Sequence, residues 1–208
     1  GLLELGDEIK GVTFVPLEVT TDDASLIDGV YDYAVTDRYI YVLPVKEPRI
    51  VLFDRQGRFI RTLVKEGQGP GEFRGILPCI QVDERNDRLF LFSNNRVWEY
   101  TLEGEFIGQS THEYSVIYMR HIGKDRFAAI SFPFQPFNGG GFGLGLFSRK
   151  GDTIAIKNDF YSFLLPHEKS GFTTSIASAY SDAQNSVLFK TGSNDTVFCI
   201  SADRISAA

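Results

Sequence analysis

Three glycines keep step along the chain. Gly57, Gly104 and Gly151 recur at an interval of 47 residues (104 − 57 and 151 − 104), and an aromatic residue stands four positions before each: Phe53, Tyr100 and Phe147. The first copy reads Ile50-Val51-Leu52-Phe53, then Asp54-Arg55-Gln56-Gly57, then Phe59 to Leu63. An apolar run, a polar turn closed by glycine and a second apolar run make a β-hairpin. Glycine suits the turn because it adopts the left-handed backbone that other residues resist. Three copies in one hydrophobic phase restrict the chain to a repeat built on hairpins.

Each hairpin belongs to a larger block of short strands. Block one holds runs at 30–35, 39–43, 50–53 and 59–63, block two at 76–82, 89–92, 97–100 and 106–107, and block three at 116–122, 127–130, 143–147 and 153–156. An Asp-Arg pair at 37, 87 and 125 precedes the second run of each. Block four has runs at 174–180, 187–189 and 196–200 and stops before a clear fourth strand. Four short strands per ~40–50 residues is the pattern of an all-β β-propeller with four-stranded antiparallel blades. The expected blades span about 30–64, 76–110, 115–157 and 173–205 of a single domain covering 1–208. Residues 12–19, Val-Thr-Phe-Val-Pro-Leu-Glu-Val, read as a lone edge strand that could complete block four, since Pro16 removes a ladder donor. About four blades fit, and ring closure stays open. An isolated four-stranded sheet cannot bury both faces, and stacking sheets face to face solves that.

Composition narrows the partners. With 208 residues, 43% hydrophobic, the chain is long enough for a sizeable core. Its net charge of -6 disfavours nucleic acid. No apolar run reaches the ~18–20 residues of a membrane-spanning helix. The chain starts Gly1-Leu2-Leu3-Glu4 without an initiator Met, which leaves a removed export signal open. Cys79 and Cys199 read as small buried side chains on strands rather than a disulfide framework.

Chemical signatures are sparse. Gly67-Gln68-Gly69-Pro70-Gly71 could cradle an anion, but Pro70 lacks an N–H and no Walker-type lysine follows, so a tight loop with glycines at positive φ is expected. Gly139–Gly145 matches no G-x-G-x-x-G register. His112, His121 and His167 lack metal-ligand spacing, and Asp83-Glu84-Arg85-Asn86-Asp87 lacks the order of a calcium loop. No metal or cofactor is expected, and no Gly-x-Ser-x-Gly elbow exists. Carboxylate pairs for glycoside cleavage cannot be singled out among 27 acids. Asn194-Asp195-Thr196 is a formal glycosylation sequon. The one departure between sibling blocks is the insertion Phe132-Pro133-Phe134-Gln135-Pro136-Phe137-Asn138, running to Phe142, with Tyr161 shortly after. Phe132, Phe134, Phe137, Phe142 and Tyr161 are the candidate ligand contacts, because inserted loops often bind and aromatic rings stack on sugars or anchor proteins. Trp98, on a strand, is expected in the core.

The hairpin Phe53–Phe59 followed by Gly67-Gln68-Gly69-Pro70-Gly71-Glu72-Phe73 resembles the six-bladed, NHL-repeat-like β-propeller proteins common in Bacteroidetes. Val15-Pro16-Leu17-Glu18 and Asn194-Asp195-Thr196-Val197-Phe198 are similar to that family as well. Six blades at this step need about 282 residues, so the chain reads as a shortened member of that family or a fragment, or as four blades closing into a smaller ring. The resemblance implies export to the periplasm or cell surface, often on a lipid anchor, and mostly unknown functions. The function expected is therefore a non-enzymatic binding or scaffold module for a protein or carbohydrate. The alternatives are a carbohydrate-active propeller enzyme, hydrolase or lyase, and a truncated propeller without its own activity. An open array would expose apolar end blades and favour a homodimer.

Overall fold

The computed structural model describes residues 11–75, 79–114, 116, 118–130, 143–157, 176–181, 185–191 and 196–208, the 176–181 stretch by its backbone. It is all-β. Four antiparallel sheets, each of four strands in chain order, account for every strand described. Sheet I holds β1 (Val30–Val35), β2 (Tyr39–Pro44), β3 (Arg49–Asp54) and β4 (Phe59–Lys65). Sheet II holds β5 (Cys79–Asp83), β6 (Arg88–Ser93), β7 (Arg96–Tyr100) and β8 (Phe106–Thr111). Sheet III holds β9 (Tyr118–His121), β10 (Arg126–Ile130), β11 (Leu144–Ser148) and β12 (Thr153–Lys157). Sheet IV holds β13 (Ile176–Ser181), β14 (Ser186–Thr191), β15 (Val197–Ser201) and β16 (Ile205–Ala207). The chain divides into two compact units, one ending at Lys65 and one beginning at Glu66.

The 47-residue step is a repeated turn. Gly57, Gly104 and Gly151 sit at φ +84°, +87° and +103°. In each turn the glycine N–H donates three residues back, to Asp54 O at 3.0 Å, Thr101 O at 2.9 Å and Ser148 O at 3.0 Å. The N–H of Asp54, Thr101 or Ser148 then donates to the carbonyl four residues on, at 3.0, 2.9 and 2.8 Å. A side-chain oxygen of that residue accepts the N–H at the fourth position: Asp54 from Arg58 at 2.9 Å, Thr101 from Glu105 at 3.1 Å, Ser148 from Asp152 at 3.0 Å. This is a type I turn closed by a glycine bulge, and the ladder slips at Phe53, Tyr100 and Phe147 in turn. Asp, Thr and Ser differ as residues, yet each supplies the same acceptor.

In the second unit the middle sheet spends its two faces on different neighbours. Along β10, Phe127 and Ala129 pack with Phe90, Phe92 and Val97 of sheet II. Ala128 and Ile130 join Val187, Phe189, Phe198 and Ile200 of sheet IV. Strand residues alternate sides, so one short strand feeds two cores. Phe127 is fully buried and meets Phe90 and Phe92 edge-on at 5.5 and 5.6 Å. A buried ring of this size contributes about 2–3 kcal/mol. Beside the cores, the Gln81 amide braces β5 to β9. It donates to His121 O at 2.9 Å and accepts from His121 N–H at 2.6 Å.

In the first unit, Ile40, Val42, Val51 and Phe53 share one face of sheet I and pack with Leu17, Ile27 and Phe59. Tyr41, Leu43, Ile50 and Leu52, of opposite parity, are buried as well. The expected strand at 12–19 does not form: residues 11–20 join no ladder among those described. The segment is tied to the β3–β4 turn instead. Glu18 N–H donates to Gly57 O at 2.8 Å, and the Glu18 carboxylate accepts Phe59 N–H at 2.8 Å. Sheet IV does not call on this segment either, because β16 supplies its fourth strand. Its hairpin has no glycine; Ser201 N–H bonds Arg204 O at 3.0 Å across a tighter turn, so the 47-residue step does not mark it.

Candidate functional site

An open groove of about 820 Å³ lies in the second unit between the outer strands of sheet II and the β11–β12 turn. Glu99 on β7 is its chemical centre, and its side chain is 10% exposed. Arg88 Nε reaches Glu99 Oε1 at 2.7 Å, and Arg149 donates through Nε to Oε2 at 2.8 Å and through Nη2 to Oε1. Arg149 Nη1 also holds Asp125 at 3.2 Å, and its backbone N–H bonds Asp125 O at 2.9 Å. The turn glycine at 151 fixes Arg149 where its fork can grip the carboxylate two-handed. Hydrogen bonds donated to Glu99 hold the Arg149 proton more tightly than usual, against the effect of burial. Both oxygens of this carboxylate are taken up by the two guanidinium groups. The arrangement locks sheet II to sheet III and offers the groove a fixed, mixed-charge wall.

The glycine-rich loop does cradle an anion, and the anion is its own Glu72. Gly69 N–H donates to Glu72 Oε2 at 2.7 Å, while Arg74 closes the loop on Gly67 O at 3.1 Å and Gln68 O at 3.0 Å. A Cβ on Gly67 would overlap the Glu72 carboxylate. Positive φ occurs only at Gly71 in this run, so Gly67 and Gly69 serve by leaving room rather than by backbone freedom. Phe73, fully buried, closes edge-on against Trp98 at 6.5 Å. Trp98 is 2% exposed, a core residue as expected.

The two described histidines are packing residues. His121 stacks on Phe90 at 4.9 Å with Asp83 at 3.7 Å; burial pulls its pKa down, against an upward pull from Asp83 and Asp125. His112 is 2% exposed, with no hydrogen-bond partner for either ring nitrogen among the described residues, and meets Phe147 edge-on at 5.1 Å. Burial alone lowers its pKa to about 4. The acidic turn at 83–87 is a short 3-10 turn capped by Asp83, with Asp87 left-handed at φ 54°. Among the described residues no three His, Cys, Asp or Glu side chains gather as for a metal. Cys79 and Cys199 are half-buried on strands β5 and β15.

Phe132, Phe134, Phe137, Phe142 and Tyr161 lie outside the described residues, as do His167 and Asn194-Asp195. The Glu99 network escaped the sequence reading. Its one local signal is an acid inside the apolar run Val97-Trp98-Glu99-Tyr100; the partner Arg149 stands 50 residues on.

Repeated four-stranded meanders, stacked where the second unit shows them, define the class. Within it, the chain belongs to the family "Domain of unknown function (DUF4934)", whose model matches residues 2–208. A crystal structure from Bacteroides fragilis NCTC 9343, of a protein named as exported by inference, is similar at TM-score 0.69 and 20% identity, covering 92% of this chain and 53% of that one. A member of the DUF4221 family from Bacteroides vulgatus ATCC 8482 is similar at TM-score 0.58 and 10% identity, covering 88% and 57%. The chain thus spans little more than half the length of these solved structures. No curated protein matches it. No helix among the described residues is long and apolar enough to cross a membrane.

Proposed function

We propose that this chain is a β-propeller-type binding or scaffold module of the exported class, without catalysis of its own. The observation behind the reading is the division of sheet III between two cores. Blades stacked in this way commit their strands to packing and leave contact to the connections. The inserted connection carrying Phe132, Phe134, Phe137 and Phe142, with Tyr161, is where a carbohydrate or protein ligand would be met. The export reading draws on the Bacteroides fragilis relative's name. The engagement of Glu99 by Arg88 and Arg149 supports a structural role for this carboxylate.

The test is direct. The chain is titrated with a panel of soluble polysaccharides by calorimetry, and the same mixtures are assayed for new reducing ends. Binding without new ends, lost when the four Phe residues and Tyr161 are changed to Ala, is the expected result. New reducing ends released by the chain would overturn the proposal, as would binding that ignores the five substitutions.

A further inference from the structure

Residues 47 apart can be compared across sheets, because contacts repeat with them. A Cβ on Gly57 would overlap the carbonyl oxygen of Pro16, and one on Gly151 that of Thr111. The next residue in each case packs beside the repeated aromatic: Leu17 with Phe53, His112 with Phe147. By the same step, the cross-strand pair Glu99–Gly108 stands in sheet II where Leu52–Arg61 stands in sheet I and Leu146–Ala155 in sheet III. Leu52 and Leu146 are buried. Of the three sheets, only sheet II puts a carboxylate at this position. Beside it is a glycine whose Cβ, if added, would meet no atom within 4 Å.

Gly108 lies on β8, the outermost strand of its sheet, and the outer edge of β8 pairs with no strand among the described residues. None of the six residues of β8 is buried. The groove already described lies on the Gly108 face, with Ile107 and Ile154 on its rim at 40% and 41% exposure. A second hollow, of about 330 Å³, lies on the other face of β8 against Trp98 and Phe106. Phe106, Ile107 and Ile154 are the exposed large apolar side chains described in the second unit, and each borders one of these two hollows. A glycine inside a strand marks a place where another backbone can come close. The equivalent positions are filled: Ala155 on β12 packs with the sheet IV core, and β4 carries the long Arg61.

The charges say what is missing. Every acid lining the groove is already engaged: Glu99 by Arg88 and Arg149, Asp125 by Arg149 at 3.2 Å, and Asp152 by the Ser148 hydroxyl at 2.8 Å. The cations are not. Lys150 has no partner among the described residues, and the Arg126 side chain donates only to the Asp125 carbonyl at 3.3 Å. In the second hollow the Arg96 side chain likewise has no partner among the described residues. Spare donors on both faces of a free strand call for a ligand that brings carboxylates to both faces.

We infer that the free edge of β8 accepts an extended acidic peptide as a fifth strand. The peptide backbone pairs with β8, which is what a sheet edge offers and a sugar chain cannot match. The side chain opposite Gly108 enters the space left beside Glu99, between Ile107 and Ile154. Carboxylates on alternate faces meet Lys150 and Arg126 on one side and Arg96 on the other. The inference goes beyond the connection-borne site proposed above and places contact on a strand.

The experiment uses the 208-residue chain and a fluorescein-labelled hexapeptide amide, Glu-Glu-Val-Val-Glu-Glu, with its Lys-Lys-Val-Val-Lys-Lys counterpart and an oligogalacturonate as comparisons. Binding is read by fluorescence anisotropy, and amide hydrogen exchange is followed over residues 106–111. The acidic peptide should bind saturably and slow exchange on β8. Gly108→Val, Lys150→Glu and Arg96→Glu, each melting as the parent does, should weaken it about tenfold or more. Lys150→Glu and Arg96→Glu, at exposed positions, keep the test decisive if Gly108→Val disturbs the sheet. No saturable binding would sink the inference, as would equal binding of the lysine peptide or binding that ignores the charge reversals. Oligogalacturonate binding that these variants abolish, without peptide binding, would overturn it in favour of an acidic sugar. The two readings fail separately, since polysaccharide binding is read on the five aromatic substitutions and peptide binding on Gly108, Lys150 and Arg96.

Discussion

His112 is a base held where a hydrocarbon belongs. It sits at the position that Leu17 fills in the first unit, against the ring equivalent to Phe53. Burial lowers its pKa to about 4, from 6.5 in the unfolded chain. The folded state thus prefers neutral imidazole, and the unfolded state takes up a proton as pH falls through 6.5. Between those two values the unfolded chain binds more protons, so stability rises with pH there. The contribution is complete above the unfolded value, declines by about 1.4 kcal/mol per pH unit below it and levels off near the folded one. Going from about pH 7.5 to about pH 5, this one group removes about 2 kcal/mol. His121, also shifted down, acts in the same direction.

Replacing His112 with Leu isolates the effect. The variant should lose about 2 kcal/mol less than the parent between about pH 7.5 and pH 5. At the higher pH it should lie within about 1 kcal/mol of the parent, because the two buried nitrogens it removes have no partners among the described residues. Urea unfolding followed by fluorescence reads this cleanly, since Trp98 is the chain's single tryptophan and is buried in the same unit. Stability curves for parent and variant that run parallel across this pH range would refute the reasoning. So would a variant whose curve is the steeper of the two.

The turn glycines give a second set of measurements. Gly57→Ala and Gly151→Ala should each cost at least about 1–2 kcal/mol, from left-handed backbone plus overlap with a carbonyl oxygen, whereas Gly108→Ala, in open space on β8, should be neutral or gain about 0.5–1 kcal/mol. Equal effects at the three sites in thermal melts would contradict the turn geometry. Glu99→Gln keeps the shape but strands Arg88 and Arg149; a loss of about 1.5–3 kcal/mol in urea unfolding is expected, and a loss below about 0.5 kcal/mol would show the network idle. Tyr100→Phe removes a buried hydroxyl that has no partner among the described residues and whose pKa burial and Glu72 raise, so it should be neutral or stabilising; a loss above about 1 kcal/mol would reveal a bond to that oxygen. Ala128→Leu and Ala129→Leu point to opposite faces of β10, and each should cost about 1–3 kcal/mol; tolerance at either would mean that face is open.

The parts of this fold legible in the sequence are those fixed by local chemistry. A left-handed turn needs glycine whatever surrounds it, so Gly57, Gly104 and Gly151 announce their hairpins. Alternating apolar runs place β1 at Val30–Val35 and β6 beside Asp87-Arg88. What distant partners fix stayed hidden. The β15–β16 hairpin closes without glycine, so the fourth sheet's last strand left no mark. The segment at 12–19 has strand-like alternation, but Glu18 ties it to a turn some forty residues away. Glu99 meets Arg149 only because two sheets stack, and no spacing rule foretells that. The Leu17–His112 equivalence was masked twice. The residues differ in kind, and their separation is 95 where the turn glycines are 94 apart (112 − 17 against 151 − 57).

That one-residue slip carries the last step of the argument. If the repeat were only a sequence echo, a slip would move Thr111 off the Gly151 turn or turn His112 away from Phe147. Neither happens, because what repeats is a set of contacts: a left-handed glycine under a carbonyl, a plug residue on an aromatic ring, an acceptor closing the turn. The contacts tolerate Asp, Thr or Ser at the acceptor and Leu or His at the plug, provided volume and hydrogen bonding are kept. Positions that repeat in space but differ in chemistry are then where one sheet has been given a property the others lack. His112, which makes sheet III's packing sensitive to protons, and Glu99, which pins two arginines at the groove, are two such positions among the described residues.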